Sequence, residues 1–184
     1  RYFVNDSSVG YIKTFEKGIR ACRGELIALA DQDDLWHPAK IETLVNELGD
    51  HSLVCSDLSL IDETGNPLGC TFREYQDITV PDDSDQFRYL TLRNFVTGSA
   101  SLFRREAAEK AFPFPDNVVP HDWWLAIHAS MLGGIKYLER PLVRYRQHAR
   151  NVVGAKRKLT AGALFKFAFS RTQRTKAYQI DRER

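Results

Sequence analysis

The sequence is thin in the residues that would staple a small fold or cage a metal. Its three cysteines, Cys22, Cys55 and Cys70, lie far apart and form no Cys-x-x-Cys pair. That excludes a disulfide scaffold or a zinc ribbon and fits a reducing compartment. His37, His51 and His128 have no ligand spacing either. No apolar run reaches membrane-spanning length, and there is no internal repeat or low-complexity segment. A glycine-rich phosphate loop is also absent, which counts against a nucleotidyltransferase.

What is there belongs to a globular protein. The 184 residues are 43% hydrophobic and 27% charged, enough for a buried core. Charge is unevenly spread: residues 156–184 hold nine Lys/Arg against two acids, residues 1–155 seventeen against twenty-two. The basic tail therefore points to an anionic partner. The chain enters at Arg1 on the strand-like Tyr2-Phe3-Val4, as a fragment would.

Residues Asn5 to Ser8 read as a turn and helix cap, and Tyr11, Phe15, Ile19 and Cys22 recur at helical spacing up to Gly24. The apolar run Glu25–Ala30 predicts a central parallel strand buried on both faces. It ends in Asp31-Gln32-Asp33-Asp34, after which Pro38 opens a helix with Ile41, Leu44, Val45 and Leu48 on one side. A strand over 51–61 and a turn over 62–66 follow, then a long loop over 66–84. Further on, the pattern predicts helices at 87–92, 105–111, 122–131 and 159–180. Strands are expected at 95–103 (interrupted by Gly98), 135–138 and 142–145. Strand–helix alternation makes this an α/β fold with parallel early strands, whose ligand sits beyond the strands' carboxyl ends.

Three clusters could carry chemistry. Asp31, Asp33 and Asp34 share one tight turn and repel one another unless a cation or backbone N–H groups compensate. With no lysine adjacent, the turn suits a divalent ion and the phosphates that share its shell, although Asp34 also reads as an ordinary helix cap. His121-Asp122-Trp123-Trp124 puts a carboxylate at a helix start, where capping competes with a general-base role. Its tryptophans point different ways, one inward and one onto a pocket suited to a sugar face. Arg144, Arg146 and His148 alternate on one strand face, as a solvated edge or as a row of donors for diphosphate.

Together these segments resemble the inverting family-2 glycosyltransferases, most closely the rhamnosyltransferase-like branch that builds bacterial surface polysaccharides. The resemblance rests on NDSSVGYIKTFEKGIRACRGELIALADQDDLWHPAKI, SDLSLIDETG, NFVTGSASLFRR, HDWWLA and RYRQHARNVVG, in that order over most of residues 1–154. It implies a GT-A, Rossmann-like α/β fold, a mixed sheet flanked by helices, truncated at its N-terminus. The family's first strand, its Gly/Asn loop and its second strand have no counterpart here. Residues 1–154 then form a partial catalytic domain and 155–184 a basic amphipathic helix.

Carried over by position, Asp31 and Asp33 form the DXD pair that holds Mg²⁺ or Mn²⁺, with Asp31 also near the donor ribose. Asp122 takes the place of the catalytic base, although His121 stands where most relatives have an acid. Gly98 and Ser99 fall on the acceptor side with Trp123 and Trp124, while Arg146 and His148 close over the diphosphate. The implied reaction passes a sugar from a nucleotide-diphosphate donor to a saccharide or lipid-linked acceptor at the cytoplasmic face of a membrane. Residues 159–180 would touch anionic lipid there or pack on the body. No nucleic-acid partner is expected, since the basic run carries no such motif. A non-catalytic fragment or binding module is the rival from another class.

Overall fold

The computed structural model describes residues 4–116 and 119–148. The expectations for Tyr2-Phe3 and the helix over 159–180 lie outside these residues.

Among the described residues six α-helices and six strands follow one another as α1 Gly10–Ala21, β1 Leu26–Ala28, β2 Leu35–Trp36, α2 Lys40–Leu48, β3 Leu53–Ile61, β4 Pro67–Thr71, α3 Phe72–Gln76, α4 Gln86–Leu90, β5 Ser101–Arg104, α5 Arg105–Ala111, α6 His121–Leu132 and β6 Ile135–Arg146. The strand order is β1-β5-β3-β6-β2, with β4 attached to β3. Only β3 and β6 pair in parallel; the other pairings are antiparallel. The sheet is therefore mixed.

β1 is not the central parallel strand that its apolar run predicts. It pairs antiparallel with β5, at one end of the sheet. Its run is continuous because side chains alternate between two covered faces. Ile27 packs with Leu53, Cys55 and Phe103 under α1, α5 and α6, whereas Leu26 and Ala28 join Val54, Leu102 and the α2 residues Leu44 and Leu48. The two layers of helices thus explain an unbroken hydrophobic strand without parallel neighbours.

Other elements shift for local reasons. α1 starts at Gly10 with no side-chain cap, so Ser7 and Ser8 do not begin it. The expected loop over 66–84 contains β4 and α3. The Thr71 side chain accepts from the Glu74 N–H, and Glu74 returns a bond to the Thr71 N–H. This capping box was readable as Thr71-x-x-Glu74. Most of the strand expected over 95–103 is not strand: a 3₁₀ turn at Gly98–Ala100 delays β5 to Ser101. Two expected strands fuse into the 12-residue β6, whose register with β3 slips near Asp57. On α2 the buried line is Lys40, Leu44 and Leu48, while Ile41 and Val45 stay exposed. An i, i+4, i+8 stripe headed by a lysine was invisible to hydrophobicity alone.

β1, β3 and β6 run in the same sense. Their carboxyl ends bring Asp31–Asp34, the 62–66 turn and Gln147-His148 to one end of the sheet, beside the turn that enters β5. Residues 29–34 cross this end from β1 to β2.

Candidate active site

A cavity of about 640 Å³ opens at that end. Asp31, Gln32 and Asp33 line it from the acidic turn, His148 from beyond β6, Gly98 from the turn before β5, and His121, Asp122 and Trp123 from the start of α6.

The acidic turn is held by β6. The Arg146 N–H donates to Oδ1 of Asp34 at 3.1 Å, and its Nε donates to the Asp33 carbonyl at 2.9 Å. One terminal nitrogen reaches on to the carbonyls of Asp62 and Glu63. Burial, and then the charges of Asp34, Asp33 and Asp122, push the Asp31 carboxyl up to about 6. Burial likewise raises Asp34, although the nearby Ser99 hydroxyl and the Arg146 N–H oppose it. That hydroxyl approaches Asp34 without closing a full hydrogen bond.

One cation faces the turn from inside. Lys40 is fully buried, its ammonium 3.4 Å from the centre of the Trp36 ring and donating to the Ser99 carbonyl. Burial brings its pKa down to about 8 against the pull of Asp34 and Asp31. The turn has no adjacent lysine in sequence, yet the start of α2 folds one behind it.

Asp122 sits in the first turn of α6, where Oδ1 accepts the Trp123 N–H at 2.7 Å. Oδ2 accepts the Gly98 N–H at 3.0 Å. Pro120 holds the N-cap position and the helix has no side-chain cap, so Asp122 is not the cap; two backbone donors fix its carboxylate at the cavity wall. His121 is buried and stacks on Phe15 at 3.7 Å, and burial lowers its pKa, with the Asp122 charge opposing. A buried imidazole thus stands beside Asp122, at the position where the resemblance has an acid in most relatives.

The remaining walls are largely aromatic and apolar, with Tyr11, Phe72, Ile78, Leu92, Phe95 and Tyr145. Sequence reading missed Phe72 and Tyr145. Phe72 stands there because buried Asp57 accepts the Arg73 N–H and so anchors α3. Tyr145 is the β6 residue, between the two expected arginines, that faces the cavity.

Several expected site residues fall outside the lining, among them Asp34 and the exposed Arg144. The Arg146 guanidinium is directed at carbonyls and clamps the acidic turn. Trp124 turns away, donating its indole N–H to the Ala111 carbonyl, while Trp123 donates to the Leu90 carbonyl and still reaches the cavity. Ser99 is buried behind Gly98. Helical geometry divides the tryptophans, since consecutive residues lie about 100° apart around an α-helix.

The donor set suits a hard divalent ion. Asp31 and Asp33 offer carboxylates to the cavity, and a cation there would offset the burial and the neighbouring negative charges that raise the Asp31 carboxyl. Among the described residues no group of three or more His, Cys, Asp or Glu side chains forms a metal cage. Such an ion would complete its shell with water and ligand phosphate. No described helix is long and apolar enough to cross a membrane.

Comparison with known proteins bears on the family and the fold. An uncharacterized protein of Mycobacterium tuberculosis is 28% identical over 156 residues, covering 83% of this chain and 43% of its own length. An uncharacterized glycosyltransferase of Nostoc sp. is 29% identical over 150 residues, 74% of this chain and 44% of its own. The chain thus spans less than half the length of these relatives. A mannosyltransferase from Pyrobaculum calidifontis, solved with GDP-Man and Mn²⁺, superposes with a TM-score of 0.52 at 18% identity, covering 79% of this chain and 39% of that one. That match shows the GT-A fold. Residues 1–112 match the glycosyl transferase family 2 profile, and the chain belongs to that family.

Proposed function

We propose that this chain carries the transfer site of an inverting, metal-dependent glycosyltransferase that uses a nucleotide-diphosphate sugar. The observation behind this reading is the shared cavity: Asp31 and Asp33 line the same space as Asp122, and the Asp122 charge is felt at Asp31.

Asp31 and Asp33 would hold Mg²⁺ or Mn²⁺, which supplies positive charge for a departing diphosphate. Asp122 accepts the proton of the acceptor hydroxyl, using lone pairs left beside its two backbone bonds. The acceptor oxygen forms its bond to the anomeric carbon as the carbon–phosphate-oxygen bond breaks, and that electron pair leaves on the nucleoside diphosphate. A single base acting in one displacement inverts the anomeric centre. His148 donates to the diphosphate, while Trp123 and Gly98 border the acceptor. Arg146 acts on this site by holding the turn.

The aromatic walls suit the apolar faces of sugar rings. The Pyrobaculum neighbour's ligands, GDP-Man and Mn²⁺, support the same ligand class here. Rhamnose as the sugar and a polysaccharide or lipid-linked acceptor complete the proposal on the resemblance alone, and docking of residues 159–180 on the inner face of a membrane on the basic charge of that segment.

Calorimetry with Mn²⁺ and a panel of nucleoside diphosphates, alongside transfer assays with the matching sugar nucleotides, tests the reading. Asp122→Asn should cut turnover by about 10²–10⁴-fold with nucleotide affinity kept. An equal loss of nucleotide binding removes Asp122 from the base role. Asp33→Ala should abolish metal-dependent binding, and affinity unchanged by EDTA in both proteins refutes the metal site.

A further inference from the structure

The transfer chemistry makes no use of Lys40, although its burial is complete. A buried ammonium is costly unless several groups compensate it, so its position calls for a reason. Four groups bear on this one. The Trp36 ring covers it, the Ser99 carbonyl accepts from it, and the charges of Asp34 and Asp31 act on it. The residue before Ser99 supplies the N–H that holds Oδ2 of Asp122. The 3₁₀ turn thus accepts from Lys40 through its Ser99–Ala100 peptide and donates to the Asp122 carboxylate through the Thr97–Gly98 peptide.

We propose that Lys40 is a positioning residue with two effects: an internal counter-ion that holds the acidic turn ready before a cation arrives, and a strut that keeps the Gly98–Ala100 turn bonded to Asp122. The proposal deepens the functional reading above and rests on it for the identity of the cation. Its consequence runs against intuition: removing Lys40 should strengthen cation binding while weakening catalysis. The ammonium repels a divalent ion, yet its bond to Ser99 helps to keep Asp122 aimed.

The test compares the wild-type chain with Lys40→Met, which removes charge and donor, and Lys40→Gln, which keeps a donor without the charge. Folding is checked by thermal unfolding, and Lys40→Gln carries the test if the methionine variant does not fold. Mn²⁺ alone is titrated while its free-ion EPR signal is followed, and exchange of the Gly98 amide proton is followed by NMR. The expected result is Mn²⁺ binding tightened by about fivefold in both variants, since a repelling charge close to the ion is gone. Gly98 exchange should quicken at least tenfold in Lys40→Met, and less in Lys40→Gln, with β3 amides unchanged. A merely structural lysine would loosen Mn²⁺ binding when removed, so weaker or unchanged binding in a folded variant overturns the counter-ion half. Unchanged Gly98 exchange overturns the strut. Binding of Mn²⁺ by none of the three proteins sinks the cation site and the counter-ion half together, while the exchange result still decides the strut.

Discussion

Nε2 of His148 stands 2.8 Å from Oδ2 of Asp33, so the residue assigned to the diphosphate is in contact with the residue assigned to the metal. In the ligand-free protein each occupies part of the other's binding capacity. His148→Ala should therefore raise the Kd for a nucleoside diphosphate with Mn²⁺ by about tenfold, the loss of one charge-assisted hydrogen bond. It should leave the affinity for Mn²⁺ alone equal or higher. Calorimetry reads both, and an unchanged diphosphate affinity would release His148 from that role.

Gly98 is held to its residue type by space. A Cβ there would lie 3.2 Å from both Asp122 Cβ and His121 Nε2, and 3.4 Å from a Leu29 methyl. Gly98→Ala should press Asp122 and His121 back by a few tenths of an ångström and so disturb the carboxylate proposed as the base. Turnover should fall by at least tenfold, with a stability loss of about 1–3 kcal/mol from overpacking. Wild-type turnover in Gly98→Ala would show that Asp122 does not depend on this contact.

The pH dependence follows from Asp31. Burial first, and then Asp34, Asp33 and Asp122, lift its carboxyl from an ordinary 3.8 to about 6. Between those values the folded chain binds more protons than the unfolded one. This group therefore favours folding most below pH 4 and loses that contribution as pH rises through 6. Asp34 is shifted in the same direction. Without metal, the difference in Tm between wild type and Asp31→Asn should move in favour of wild type as pH falls from 7 to 5. Mn²⁺ affinity should drop over the same interval, because proton and cation compete for one carboxylate. A Tm difference that stays flat across this range would contradict the assigned repulsion.

Arg146 supports the acidic turn through geometry that lysine cannot copy. Its guanidinium reaches the carbonyls of Asp33, Asp62 and Glu63 at once, a planar fork with fixed donors. Arg146→Lys should lose about 2 kcal/mol of stability and weaken Mn²⁺ binding in parallel, read by thermal unfolding and EPR. Lost diphosphate affinity with stability and Mn²⁺ binding intact would return Arg146 to direct contact with the donor.

The sequence on its own determined the α/β class, the boundaries of α5 and the approximate span of β3. It also determined which carboxylates deserved attention: Asp31, Asp33 and Asp122 stand out through local chemistry, namely an acidic turn after an apolar run and an acid at a helix start beside tryptophans. Such signals depend on neighbours in the chain and survive without coordinates. Only the tertiary structure decided that β1 pairs antiparallel at one end of the sheet, that Tyr145 rather than Arg146 faces the cavity, and that Trp123 lines it without Trp124. It alone brought Lys40 behind the acidic turn and the Gly98 N–H onto Asp122, 24 residues away. Those facts depend on strand order and on burial of charge by distant groups, and neither hydrophobic periodicity nor residue spacing encodes which remote segment will pack against a given side chain.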